Sequence, residues 1–553
     1  MLTYSGKLRA LGQALSRPSR IILRRTKIKT VCFTSTGYTC VVKWQGTSFV
    51  LEEKMIDFTK LQNGSDIRGV AIQTEGGAEP NLTKETAGRI TGAYIYWLSK
   101  KVQKNPVMLK VCVGQDSRIS GDMLKEGVLE AIALWGAEGY DAGLSTTPAM
   151  FMSTVMPQFE FDGAIMITAS HLPYERNGFK FFTAEGGPEK EDIAEILRLA
   201  SRYNFIGGVY EEMKTNVTMM YAAYLRQMIS QGLREVPGYL KGMHIVVDAG
   251  NGAAGFFAKE VLEKMGADVS GSLYLEPDGM FPNHPANPEN AEAMAAICKA
   301  VKDNNADLGI IFDTDGDRSA AVGPGGIPIA RNEIVALAAA LAADDYPGGT
   351  VVTDSVTSTE LHEFLEGKLG LKHLRFKRGY KNVINKAKEL NAEGEQAFLA
   401  IETSGHAAYS DNYYLDDGAF LAVQIVINAA KLKAQGKDIM ALLDGLESPA
   451  ESKEIRFKIK AEDFRKYGTG VLEDFGKWAE YSNTLEVVEP NYEGVRVNYD
   501  LDGCRGWFLL RMSLHDPVMA LNVESETPGG TDKALAAIYD FMKGYREIEI
   551  PEA

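Results

Sequence analysis

From about Asp57 onward, short apolar runs alternate with stretches whose apolar residues recur every three or four positions, the pattern of layered α/β units. The run VMLKVCVGQD (107–116) reads as a strand, followed by a helix near 121–136. DGAIMITAS (162–170) is apolar and ends in small and polar residues, as a buried strand delivering Ser170 into a loop would, and a helix follows at about 189–202. A second unit begins near Thr215, with helices at 218–231, 255–265 and 289–303 and strands at HIVVDAGNG (244–252) and LGIIFDTD (308–315). A third starts near Asn332 with a helix, then the strand GTVVTDSV (349–356), a helix (358–368), the strand AFLAIETSG (397–405) and a long helix near 417–433. After Ser452 the pattern changes to short strands, EIRFKIK, EGVRVNYD, GWFLLRM and MALNVES, around two helices, the last at about 531–543. The expected fold class is α/β: three similar α/β domains with mixed sheets (56–214, 215–330, 331–450) and a C-terminal α+β domain (451–553).

Composition narrows the function classes. With 553 residues, 45% apolar and 24% charged, the chain has material for several cores. A formal charge of −15 argues against broad nucleic-acid binding while allowing a local basic pocket. Five cysteines (Cys32, Cys40, Cys112, Cys298, Cys504), odd in number and without a CxxC pair, read as free thiols in a reducing compartment. No run reaches the roughly 18–20 apolar residues of a membrane span, so no membrane partner is expected. The first fifty-one residues differ from the rest, with nine Lys or Arg, several Ser and Thr, and no acidic residue before Glu52. That is the composition of a transit peptide (1–55), and its length and hydroxyl content favour plastid over mitochondrion. A basic tail without targeting function would leave the chain in the cytoplasm.

Four segments carry candidate chemistry. ITASHLPYERNGFKFF (167–182) sets Ser170 and His171 at a strand end, followed by a Gly turn and Lys180, and such loops are where α/β sheets bind ligands. Serine is a poor nucleophile unless activated, so by itself TASH suits a capping serine equally well. LGIIFDTDGDRSAAV (308–322) is stronger. Asp313, Asp315 and Asp317 leave a buried strand at i, i+2 and i+4, and Gly316 lets the loop fold round a cation. Three close carboxylates repel one another, and Mg²⁺ is a natural neutraliser for an oxygen site. A solvated acidic turn is the bland alternative, opposed by the four apolar residues that precede the cluster. An EF-hand is excluded because the twelfth position from Asp313 is Pro324. A haloacid-dehalogenase-like loop, with Asp313 as nucleophile and Asp315 as acid/base, competes, but SAAVGPGGIPIA reads as a hairpin where that family needs a helix or cap. IETSGHAAY (401–409) sets Glu402, Ser404 and His406 round Gly405, suited to sugar hydroxyls and a proton transfer. RVNYD…WFLLRMSLHDP (496–517) offers Arg496, Arg511, Ser513 and His515 as a phosphate cradle.

In order and spacing, SDIRG (65–69), TASHLPYERNGFK, PDGMFPNHPANPE (277–289), DTDGDR, ETSGH with DDG (416–418), and RMSLHDP resemble the α-D-phosphohexomutase superfamily, the phosphoglucomutase/phosphomannomutase group, from about Lys60 to the C-terminus. The resemblance implies four domains round one central cleft, each contributing a loop. It implies that Ser170 carries a phosphate, that Asp313, Asp315 and Asp317 hold Mg²⁺ together with Ser170, and that Arg68, His171, Lys180 and His406 serve acid/base and charge-stabilising roles. Glu402 and Ser404 would hold sugar hydroxyls, Lys377, Arg378 and Gly379 would contact the sugar, and Arg511 and Ser513 would grip the phosphate that is not transferred. The implied partner is a phosphorylated hexose, glucose before mannose, with a hexose 1,6-bisphosphate as intermediate and activator, on a monomer or homodimer.

Two departures from the family pattern stand out. Where the last loop usually reads R-x-S-[NG]-T-E-P, this chain has Leu514, His515 and Asp516 before Pro517, and Thr314 stands where Gly is commoner in the metal loop. Thr403, where phosphoglucosamine mutases usually carry Gln, places that activity behind the other two. The altered 514–516 loop keeps a non-catalytic sugar-phosphate-binding relative as the reading from a different class.

Overall fold

The computed structural model describes residues 30–34, 37–44, 47–54, 56–513 and 516–551. The chain divides into two units, 1–57 and 58–553. In the first, β1 (Thr30–Thr34), β2 (Gly37–Trp44) and β3 (Thr47–Lys54) form an antiparallel meander. Residues 1–29, on which the transit-peptide expectation chiefly rests, lie outside the described residues.

The second unit contains four sheets. The first has β4 (Gln62–Asn63), β5 (Asp66–Val70), β6 (Lys110–Gln115), β7 (Glu138–Leu144), β8 (Gly163–Ile167), β9 (Arg176–Phe182) and β10 (Met213–Lys214), in the order β10-β7-β6-β8-β9-β5-β4. Its β7, β6 and β8 run parallel, which requires crossovers, and the helices Gly121–Leu134 and Thr147–Val155 supply them. The second crossover is marked by STTP: the Thr146 side chain accepts from the Ala149 N–H, and Pro148 sits in the first turn. β8 is buried along its whole length, in keeping with the apolar run GAIMI.

One local expectation is corrected here. Asn177–Gly178, read as a turn, lies inside β9, which returns antiparallel to β8 and pairs with β5. A Cβ on Gly178 would fall 2.0 Å from the Ile67 carbonyl oxygen, so glycine is there for the close approach of β5.

The second sheet, β11 (Ile245–Asp248), β12 (Leu308–Phe312), β13 (Ser319–Gly323) and β14 (Ile327–Ile329), pairs in that order. β13 and β14 form the hairpin expected after the DTDGDR loop. The third comprises β15 (Thr350–Thr353), β16 (Lys372–Arg375), β17 (Ala397–Ile401) and β18 (Ala407–Tyr409), in the order β16-β15-β17-β18 with only the last pair antiparallel. The fourth is wholly antiparallel: β19 (Glu451–Ile459), β20 (Leu485–Val487), β21 (Val495–Leu501), β22 (Cys504–Met512), β23 (Val518–Ser525) and β24 (Ile548–Glu549), in the order β20-β21-β22-β23-β19-β24. The fold class is thus α/β with mixed sheets and a C-terminal α+β domain.

The first three sheets share one continuous apolar core in which Met166, Phe257, Phe312, Leu399 and Ile425 are buried. The fourth has a core of its own round Phe457, Phe475, Phe508 and Ile538. At about 1.5–3 kcal/mol for each large side chain removed from water, these cores supply the rigidity on which the loops rest. No helix among the described residues is long and apolar enough to cross a membrane.

Candidate active site

The loop after β8 carries Ser170, 7% exposed, with φ of +51° in the left-handed region. A non-glycine residue stays there only when its surroundings hold it. Arg118 does so: its guanidinium donates to the carbonyls of Ser170, Leu172, Pro173 and Arg176, while its Nε pairs with Asp116 at 3.2 Å. Asp116 in turn accepts from Thr168 Oγ1 at 2.7 Å, and that hydroxyl accepts from the Ser170 N–H at 2.9 Å. The Ser170 hydroxyl is therefore presented rigidly. It donates to Asp313 Oδ2 at 3.1 Å and accepts from Arg318 Nη2, also at 3.1 Å. Arg318 additionally donates to His171 Nδ1 at 2.6 Å, which makes that nitrogen an acceptor and the ring neutral. Although His171 is exposed, the protein crowded round its ring, and then the positive charge of Arg318 and Arg68, lower its pKa in agreement with that role.

Asp313, Asp315 and Asp317 are all buried, and one oxygen from each lies within 4.8 Å of the others, close enough to share one ion. Asp315 Oδ1 and Asp317 Oδ1 are buried without a hydrogen-bond partner, an arrangement that an oxygen-seeking cation would satisfy. Lys180 answers part of the charge, its Nζ bonded to Asp317 Oδ2 and 3.2 Å from Asp315 Oδ2. Burial would lower the pKa of Lys180, but these two carboxylates raise it well above the ordinary value. Burial and the charge of Asp317 push the Asp313 carboxyl well up, whereas Lys180, His406 and Arg318 outweigh the burial of Asp317 and hold it down. The helix Thr147–Val155 steadies the loop from below, through Thr147 N–H to the Asp315 carbonyl at 2.8 Å and Thr147 Oγ1 to Asp315 Oδ2 at 2.5 Å.

A second layer closes over this cluster. His406 bonds through Nδ1 to Asp416 and stacks on the Tyr380 ring with centroids 5.3 Å apart. Against the cost of burial, Asp416 and Asp317 raise its pKa to about 9, so the ring is an imidazolium at neutral pH. Tyr380 Oη reaches back to Asp66 Oδ1 at 3.3 Å, and Asp66 pairs with Arg68 at 2.9 Å. Gly405 and Gly418 permit this closeness: a Cβ on either would lie 2.6 Å from backbone atoms of Ser319 and Arg318 respectively.

The remaining expected residues form a neighbouring group. Glu402 Oε1 accepts from the Gly379 N–H at 2.7 Å, and burial followed by the charge of Asp354 raises its pKa to about 7. Ser404 is buried beside it. Arg378 Nε stands 3.4 Å from Asp354, and its backbone N–H donates to Glu493 Oε2 at 3.2 Å. Lys377 is exposed, with Nζ over the Phe376 ring at 5.9 Å. Arg511 is buried, its Nε lacks a hydrogen-bond partner, and Arg378, Glu493 and Asp354 are its charged neighbours. Arg496 adjoins that grouping through Ser355, whose hydroxyl donates to Glu493. It donates to the Ser355 carbonyl at 3.1 Å, lies over the Trp507 ring at 3.7 Å, and has Arg375, Glu524 and Glu360 as charged neighbours. Ser513 N–H donates to the Val518 carbonyl at 2.8 Å, and Ser513 Oγ accepts from Asp516 N–H at 3.2 Å. Leu514 and His515 lie outside the described residues.

Several residues of the site carry no expectation from sequence: Asp116, Arg118, Thr147, Arg318 and Tyr380. Arg318 directly follows Asp317, and Asp116 and Arg118 flank Ser117 at the end of a strand, so charge at a strand terminus is the signal that marks them.

A buried serine hydroxyl beside a three-carboxylate loop, backed by buried arginines and a lysine, has the charge arrangement that phosphoryl transfer requires. The family models of phosphoglucomutase/phosphomannomutase alpha/beta/alpha domains I, II and III match residues 59–206, 222–326 and 330–448. A phosphomannomutase/phosphoglucomutase of Pseudomonas aeruginosa is 29% identical over 466 residues, 84% of this chain and 91% of that one. A phosphoglucomutase of Neisseria gonorrhoeae is 26% identical, covering 85% of this chain and 93% of its own. In fold, the chain is similar to a phosphoglucomutase/phosphomannomutase family protein from Burkholderia thailandensis, with a TM-score of 0.72 at 24% identity, over 90% of this chain and all of that one. The chain belongs to the α-D-phosphohexomutase superfamily. It is a phosphohexomutase, an isomerase of the intramolecular phosphotransferase kind.

Proposed function

We propose that the chain interconverts hexose 1-phosphate and hexose 6-phosphate, glucose first and mannose second, through a phosphoserine at Ser170. The observation that carries this reading is the Ser170 hydroxyl, held between Arg318 Nη2 and Asp313 Oδ2 at 3.1 Å each on a backbone pinned by Arg118. In the proposed cycle the phosphoryl group on Ser170 passes to the free hydroxyl of the bound hexose phosphate, forming a 1,6-bisphosphate. That intermediate turns round, and its other phosphoryl group returns to Ser170 Oγ while the isomeric monophosphate leaves. Each of the units 56–214, 215–330, 331–450 and 451–553 contributes a loop to the cleft.

Asp313, Asp315 and Asp317 would hold Mg²⁺, which supplies charge neutralisation to the phosphoryl oxygens when bound. Arg318 and Lys180 bring fixed positive charge to the same place, so transfer is achieved by positioning and electrostatics. Arg68, held by Asp66, would add positive charge for the transferring group, and His406, charged at neutral pH, suits the return of a proton to the leaving oxygen. Glu402 and Ser404 present acceptors for sugar hydroxyls, with Arg378 and Gly379 beside them, and Arg511 and Ser513 are the clamp for the resting phosphate. Phosphopeptide mapping of purified protein is expected to place one phosphate on Ser170, and Ser170→Ala to abolish turnover with folding intact. Phosphate on another residue, or wild-type turnover in the Ala variant, refutes the reading.

A further inference from the structure

The segment Asp278–Glu289 has no role in the cycle above, yet it touches both arginines that hold the serine. The Phe281 ring lies 5.2 Å from the Arg118 guanidinium carbon. Gly279 packs so close to the 117–119 loop that a Cβ there would be 2.3 Å from the Ser117 carbonyl oxygen. At the other end, Asn287 Oδ1 accepts from Arg318 Nη1 at 3.4 Å, and Glu289 stands 3.9 Å from the same nitrogen.

What fixes the segment is His284, 5% exposed. Its Nε2 is 2.9 Å from Asp248 Oδ2 and its Nδ1 is 2.9 Å from the Pro285 carbonyl oxygen. A carboxylate and a carbonyl both accept, so both ring nitrogens donate, and only the imidazolium does that. Asp248 at the end of β11 and Glu292 on the helix Ala291–Asp303 are the charged groups facing it, and Tyr274 meets the ring edge-on at 5.1 Å. The same anchor supports the metal loop. Asp248 Oδ1 accepts from the Gly250 N–H at 2.8 Å, Asn283 Nδ2 donates to Asn251 Oδ1 at 2.7 Å, and Ala253 N–H donates to the Thr314 carbonyl at 2.8 Å. Gly252 leaves no room for a side chain there, since a Cβ would lie 2.5 Å from the Thr314 carbonyl oxygen.

Resting on the reading of Ser170 as phosphate carrier, we propose that His284 is a positioning residue for phosphoryl transfer. Its imidazolium locks residues 278–289 onto the end of β11, and so sets Arg318 and Arg118 round Ser170 and the backbone of the 313–317 loop. Burial disfavours the charge, but the hydrogen bond to Asp248 and its negative charge outweigh it and raise the His284 pKa above the ordinary 6.5. The sign follows: the lock is whole below that value and opens as pH rises through the raised one.

Amide hydrogen exchange on the intact protein, corrected for intrinsic rates, tests this together with steady-state kinetics of His284→Gln, whose amide donates to only one of the two acceptors. Wild-type amides in 278–289 are expected to be roughly tenfold better protected at about pH 6 than at about pH 9, and His284→Gln to lose that difference. The variant's kcat is expected to fall about tenfold with KM within twofold, because the sugar contacts lie in other loops. Equal wild-type protection at both pH values overturns the proposal, as does a variant with the wild-type pH profile or a loss confined to KM. If the variant does not fold, the wild-type exchange series decides alone. Ser170→Ala separates the two ideas: full turnover there refutes the phosphoserine, while the exchange data still judge the lock.

Discussion

Two carboxylates with raised pKa values make opposite use of burial. Glu402 titrates at about 7 because it is buried and faces Asp354. Ionised, it is the better acceptor for sugar hydroxyls, so KM for hexose phosphate is expected to fall as pH rises through about 7. Glu402→Gln should flatten that dependence in a comparison of KM-against-pH profiles. Glu524 is also raised to about 7, by burial and then by Glu360, while Trp507 Nε1 and Ser452 Oγ donate to its oxygens. In the unfolded chain it loses its proton near 4.5, so the folded state holds the extra proton between 4.5 and about 7 and stability declines across that window. Glu524→Gln keeps an acceptor for Trp507 and removes the charge. It is expected to stabilise the protein by up to about 3 kcal/mol above pH 7 and to be neutral below pH 4.5, measured by denaturant unfolding. Arg511 presents a buried guanidinium with an unpartnered Nε, so Arg511→Ala is expected to raise KM and lower kcat/KM by about 2–3 kcal/mol in initial-rate assays.

At the scale of elements, three loops of the site leave the ends of buried strands. β8 delivers Ser170, β12 the three aspartates and β17 the 402–406 loop, and all three strands are buried along their length. The apolar runs IMI, IIF and LAI made these strands legible, because a strand buried on both faces has no polar positions to obscure it. The helices Lys84–Lys101 and Tyr380–Ala392, and β7, carry no expectation from sequence and emerge in the structure. β9 shows the limit in another way. Asn-Gly is a strong local turn signal, but at Gly178 pairing with β5 prevails, and the glycine serves close packing beneath Arg68. Gly178→Ala is expected to destabilise by about 2–3 kcal/mol in thermal or denaturant unfolding, since the added methyl meets backbone on either side.

For the whole molecule, the acidic loop links ligand binding to folding. Three buried carboxylates, answered in part by Lys180, Arg318 and His406, leave two oxygens without a hydrogen-bond partner, so Mg²⁺ is expected to bind the folded chain and not the unfolded one. Thermal unfolding should then shift upward with added Mg²⁺, by about 3 kcal/mol at a hundredfold excess over Kd, and Asp315→Asn should remove most of the shift. The family, the α/β class, the order of the sheets' signature loops and the identity of Ser170, Asp313, Asp315, Asp317, Glu402 and Arg511 as candidates were all written in the sequence. Apolar periodicity and short motifs are local properties of the chain, and no long-range contact is needed to read them. Only the tertiary structure decided which charges meet. Arg118 gathers four carbonyls from a loop more than fifty residues away, Lys180 pairs with Asp317 across 137 positions, and Tyr380 reaches Asp66 across 314. His284 and Asp248 gave no sign of their pairing in the linear chain. A hydrogen bond or ion pair depends on where folding sets two groups in space, and separation along the sequence carries no record of that distance.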